Sequence, residues 1–147
     1  MIRNEREYRE AVRRIQAEAA RLDGYRERLA NERMDPVAIK RVLDPMQSFH
    51  AQLVEEVESY ERLIRGEFDE LRNLHGLGNA LIALRISHGL TQREFAKLLG
   101  VHETQVSRDE RNEYHGVTVD RASRILDALD AELHSVFQQA VPGVVAE

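Results

Sequence analysis

From Leu81 to Leu129 the chain reads LIALRISHGLTQREFAKLLGVHETQVSRDERNEYHGVTVDRASRILDAL, and its centre, Gln92 to Arg111, decides the fold. Ala96, Gly100 and Val106 occupy the fifth, ninth and fifteenth of those twenty places. Two short helices that cross steeply over a turn of about three or four residues leave no room for a large side chain where they approach, so alanine fits at position 96 and leucine would not. Gly100 supplies the positive φ that ends the first helix. Val106 faces back under both helices, with Phe95, Leu99 and Val101 as expected neighbours.

The residues around this window punctuate it. Thr91 followed by Glu94 is a capping box, and Leu90 with Phe95 fills the N′ and N4 places of a hydrophobic staple, so a helix is expected to start at Gln92. The second helix is less well signalled, because His102 holds an N-cap place where Ser, Thr, Asp or Asn is preferred. Val101 and Val106 can staple across that cap. Thr118 before Val119-Asp120 caps a further helix carrying Ile125, Leu126 and Leu129.

GLTQREFAKLLGV followed by VSR and then an apolar capped helix resembles the lambda-repressor-like, or Xre, helix-turn-helix family over roughly Leu77 to Asp130. The resemblance implies a DNA-binding domain whose second helix enters the major groove while the first helix and the following loop meet phosphates. It makes Glu103, Thr104, Ser107 and Arg108 the candidates for base edges. Gln92, Arg93, Gln105, Arg111, Asn112 and Tyr114 become the candidates for the phosphate backbone. Arg108 ranks first, since a guanidinium can bond bidentately to O6 and N7 of guanine, whereas on a bare helix surface it is an ion-pair partner. Glu103 can accept from a cytosine N4 or serve the helix dipole. Thr104 can meet a thymine methyl. Gln92 can hold a phosphate with side chain and backbone N–H together. Tyr114 either reaches a phosphate with its hydroxyl or plugs a small core. Asp109 departs from the family, which more often has an aromatic or apolar residue there, and leaves the end of the recognition helix open.

Charge restrains the DNA reading. Residues 77 to 130 carry seven Lys or Arg against eight Asp or Glu, and the whole chain stands at minus five. Without a basic block, phosphate neutralisation is weak, so affinity has to come from dimerisation and a few placed contacts. The other use of such a head is to hold a protein partner.

The 147 residues suit one domain or a small domain with an arm. There is no cysteine, hence no disulfide framework or thiolate site. The start MIRNEREYRE is charged, and no apolar run approaches the roughly 18 residues of a membrane span. The expectation is a cytoplasmic protein, nucleoid-associated when bound to DNA and without a membrane contact. Catalysis is not expected: His102-Glu103 opens like the zinc motif H-E-x-x-H, but Val106 stands where the second histidine belongs, and no Gly-rich phosphate loop occurs. Neither metal nor cofactor is implied.

Residues 1–75 are expected to form the arm. Tyr8, Val12, Ile15, Ala19, Leu22 and Leu29 follow a heptad seam, giving a helix from about Glu5 to Arg33. Asp35-Pro36 and Asp44-Pro45 each read as a capping residue before an N1 proline, which places a short helical connector between them and starts a second long helix near Pro45. Met46, Phe49, Leu53, Val57, Tyr60, Ile64, Phe68 and Leu71 give that helix a covering stripe. The result is an all-α fold: a long, coiled-coil-like antiparallel hairpin, then a head over 76–131, with Gly76 and Gly78 as the hinge. Over 132–147, Leu133, Ser135 and Phe137 alternate as in a short dimerisation strand, while continuation of the last helix is the other reading. Pro142-Gly143 ends either, with a frayed VVAE tail. Together these features describe a sequence-specific regulator, a repressor, binding double-stranded DNA as a homodimer. The start NEREYREAVRRI before such a head also resembles antitoxin-like regulators, which implies a protein partner held by residues 1–75.

Overall fold

Residues 1–139 are described by the computed structural model. Six helices follow one another: α1 (Glu5–Asn31), α2 (Pro36–Ile64), α3 (Leu77–Ser87), α4 (Gln92–Leu99), α5 (Glu103–Arg111) and α6 (Val119–Ala128). No strand occurs among the described residues.

Asn4 caps α1 by accepting from the Glu7 N–H at 2.9 Å, and Glu5 and Glu7 place negative charge on its first turn. The heptad seam turns Leu22 fully inward and leaves Tyr8, Val12, Ile15, Ala19 and Leu29 half-buried. Tyr8 stacks on Tyr60 with ring centroids 5.1 Å apart and donates to Glu61 Oε1 at 2.7 Å. Arg14 lies over the Phe49 ring at 5.5 Å. Early residues of α1 thus meet late residues of α2, so the two helices run antiparallel.

The expected connector is absent. α2 starts at Pro36 and runs without interruption through Pro45. Proline inside a helix removes one backbone bond, but Pro45 lies on the exposed side, where water can meet the Arg41 carbonyl that has lost its partner. Leu43, 3% exposed, meanwhile fixes that same turn into the core. The far end also differs from expectation. Gly66 at φ +76 closes α2, so Phe68 and Leu71 lie beyond the helix and Phe68 is exposed.

Gly76 and Gly78 are not a hinge. Gly76 caps α3 in the left-handed region at φ +82. Gly78 lies inside α3, where a Cβ would sit 1.8 Å from the Glu113 carbonyl oxygen. Hydrogen is the only side chain that lets α3 approach the turn after α5 so closely. The head closes on Phe95, Leu81, Ile82, Ile125, Leu129 and Val106, all essentially inaccessible. Its core is continuous with that of the arm, because Ile2, Ala11, Leu53, Val57 and Tyr60 belong to the same apolar cluster.

Neither the expected strand nor a continued helix forms after α6 among the described residues. α6 ends at Ala128, Leu129 caps it and Asp130 turns away at φ +49. Residues 131–139 have no regular structure, and Val136 and Phe137 are exposed. A single chain offers this segment no ladder partner, so alternation alone cannot make it a strand. Pro142, Gly143 and the VVAE tail lie outside the described residues.

Candidate nucleic-acid interface

The capping box forms at α4. Thr91 Oγ1 accepts from the Glu94 N–H at 3.1 Å, and Glu94 Oε2 accepts from the Thr91 N–H at 2.8 Å. The hydrogen bond from the Thr91 backbone, then that from its side chain, holds the Glu94 carboxyl below the usual carboxylate range. Gly100 ends α4 at φ +68, and the Val101 N–H returns to the Ala96 carbonyl at 3.0 Å. Ala96 is 2% exposed and Val106 1%, which is the close approach that the spacing requires.

His102, unfavoured by residue preference, does cap α5. Its Nδ1 accepts from the Thr104 N–H at 3.2 Å, which assigns the ring proton to Nε2 in the neutral form. From this start Val106 and Glu110 turn inward, while Glu103, Thr104, Arg108 and Arg111 stand exposed on one face with the half-buried Ser107. A short helix pair locked by a tight turn, with its second member presenting polar side chains outward, can enter a groove of DNA.

Residues 81–135 match a family model described as Helix-turn-helix. The matched segment coincides with the stretch that resembles the Xre, lambda-repressor-like type. No curated protein and no solved structure matches the chain. The match supports a DNA-binding regulator acting on double-stranded DNA, and domains of this family are typically non-enzymatic. Among the described residues, no helix is long and apolar enough to cross a membrane.

Within the helix-turn-helix, Arg93 Nε stands 3.5 Å from Glu103 Oε2, joining the two helices across their exposed side. Both side chains remain open to solvent, so this pair contributes little to stability and either member can exchange it for a ligand. Arg108 and Arg111 have no ion pair among the described residues. Gln105 is exposed, and Asn112 caps the end of α5. Asp109, the departure from the family pattern, pairs with Arg121 of α6, whose Nη1 donates to Oδ1 at 3.3 Å. It ties α5 to α6 and leaves α5 intact to Arg111.

Tyr114 departs from the phosphate expectation. It is 5% exposed in the core at φ +53, and burial, followed by the nearby Glu110 and Asp109 charges, pushes its phenol well above the ordinary tyrosine range. Tyr114 is thus the core plug and does not present its hydroxyl to a phosphate.

Sequence reasoning missed the polar centre of the domain. Arg85 on α3 and Glu110 on α5 are both buried, 2% and 0% exposed, and form a two-bond pair: Arg85 Nε to Oε1 at 2.5 Å and Nη2 to Oε2 at 3.0 Å. Gln92, the first residue of α4, donates from Nε2 to Glu110 Oε2 at 2.7 Å. The pair thus orients the side chain that stands at the α4 N-terminus, where backbone N–H groups favour an anion. A charge at Arg85 on an otherwise apolar helix was the one available signal, since an arginine among LIAL and I needs a buried partner.

Proposed function

We propose that the chain is a sequence-specific transcriptional regulator, a repressor, that binds a palindromic operator as a homodimer. In this reading residues 1–75 are the arm, 76–131 the DNA-binding head and 132–147 an extension. Glu103, Thr104, Ser107 and Arg108 face base edges, while Gln92, Arg93, Gln105, Arg111 and Asn112 hold the backbone. The observation that carries it is the exposed α5 face bearing Arg108, which has no ion pair among the described residues, on a helix whose inward side is locked by Val106 and Glu110. The near-neutral head argues for two copies, since one alone neutralises few phosphates.

Selection from a random duplex library at near-physiological salt tests this reading. The expected result is a palindrome with half-sites about 10 base pairs apart, centre to centre. Arg108→Ala then costs about 1–3 kcal/mol at one base position, whereas Gln92→Ala weakens every sequence alike. No enriched sequence would overturn the reading. In the second reading the arm of an antitoxin-like protein binds a protein partner and the head regulates its own promoter. Its support is Val42 and Phe49, apolar side chains of α2 that are 47% and 48% exposed.

A further inference from the structure

We propose that the segment Ile2–Asn4, which precedes α1, positions Gln92 for its phosphate by holding the Arg85–Glu110 pair. The consequence for DNA rests on the reading above; the geometry does not. Arg85 spreads its buried fork over three partners. Besides Glu110, it donates from Nη1 to the Leu90 carbonyl at 2.6 Å and from Nη2 to the Arg3 carbonyl at 2.9 Å, across 82 residues of sequence. Nη2 has two hydrogens, one for Glu110 and one for Arg3, so the strap supplies an acceptor that a buried guanidinium cannot forgo without loss.

Arg3 is held in place from both sides. Ile2, 5% exposed, lies in the same apolar cluster as Leu53, Val57 and Tyr60 of α2 and Leu81 and Ile82 of α3. The Arg3 N–H donates to Glu7 Oε2 at 2.9 Å, and its guanidinium stands 3.8 Å from Glu113 in the turn beyond α5. Ile2 therefore anchors the strap, and the Arg3 carbonyl fixes the plane of the Arg85 guanidinium. That plane sets the Glu110 carboxylate, which in turn orients the Gln92 amide. The start of the arm is thereby part of the DNA-contacting head, and whatever draws Ile2 from the cluster is felt at Gln92.

The test uses the full chain. Two quantities are read: the Arg85 Nε–H and Gln92 side-chain amide resonances of the free protein, and affinity for the selected duplex. Ile2→Ala is expected to shift both resonances and to weaken binding on the order of fivefold. Ile2→Val, one methyl smaller, shows the same shifts at lower amplitude and remains available if Ile2→Ala does not fold. Arg3→Met keeps the carbonyl and leaves the Arg85 resonance in place. Leu22→Ala, which loosens the α1–α2 seam elsewhere, lowers Tm without moving either quantity. In a Gln92→Ala background Ile2→Ala costs no further affinity. Unmoved resonances in the Ile2 variants, or an affinity loss that adds in full to that of Gln92→Ala, would overturn the proposal. A wild-type chain that selects no duplex sinks the DNA reading instead, and the resonances alone then decide the strap.

Discussion

The head and the arm are both built from helices, yet they are held by different means. Four helices of the head surround side chains at essentially zero exposure, and a buried ion pair crosses that core. The arm has two helices sharing one seam, with Leu22, Leu43, Leu53, Val57 and Tyr60 inside and Val42 and Phe49 left half open. Head stability is therefore concentrated and specific, since a buried polar pair tolerates one arrangement only. Arm stability is spread along a stripe with water on its flanks.

Breaking the ion pair is expected to have the largest effect. Glu110→Ala strands the Arg85 guanidinium and should cost about 3–5 kcal/mol in urea unfolding. The double change Arg85→Met with Glu110→Leu should recover much of that loss, because no buried charge then remains. A Glu110→Ala protein of near wild-type stability would mean that water reaches Arg85. The next contrast is between cavities. Leu81→Ala in the head should cost about 4 kcal/mol and Leu22→Ala in the arm about 2 kcal/mol, since a two-helix seam can collapse onto the gap and a four-helix core cannot. Equal losses would erase the distinction between the two regions.

What could be read in advance follows the same division. Thr91 with Glu94, Ala96, Gly100 and Val106 each act within one or two helical turns, so spacing alone specified α4 and its turn, whereas the start of α5 rests on a His102 cap that residue preference does not signal. The α1 seam was equally local. Arg85 and Glu110 stand 25 residues apart, and no short pattern announces their meeting. Pro45 misled because a proline preference at N1 says nothing about which side of a helix the ring will occupy. The C-terminal alternation alone makes no strand, because a strand needs a neighbour that one chain does not supply. In the site itself, the members of the α5 face are those that the family resemblance implies, whereas the fate of Tyr114 depended on a core that only the fold defines.

Gly78 offers a smaller test of how tightly the head is closed. An alanine inside a helix is ordinarily favoured over glycine by roughly 0.5–1 kcal/mol. Here its Cβ would meet the Glu113 backbone carbonyl at 1.8 Å, an atom that no side-chain rotation can remove. Gly78→Ala is therefore expected to destabilise by about 2 kcal/mol. Gly24, on α1 with nothing within 4 Å of its would-be Cβ, is the counterpart in the arm. Gly24→Ala should stabilise, and thermal melts of the two variants should move in opposite directions.

The smallest expected effect lies at the α4 cap, where the head depends on a surface interaction. Thr91→Ala removes the oxygen that accepts from Glu94 and should cost about 1 kcal/mol. Glu94 adds a pH dependence whose sign is fixed by its depressed carboxyl. The folded state binds this proton less readily than the unfolded chain, so the contribution is present above the ordinary value of 4.5 and disappears as pH falls through the lower folded value. Glu94→Gln keeps an acceptor for the Thr91 N–H but cannot titrate. Melting curves for wild type and Glu94→Gln should therefore converge as the pH is lowered below about 4.5. A gap that persists into acid would assign the role of Glu94 to the shape of its hydrogen bonds rather than to its charge. Because α4 carries Gln92 on its first turn, the same acid range should also weaken duplex binding if the cap holds that turn in place.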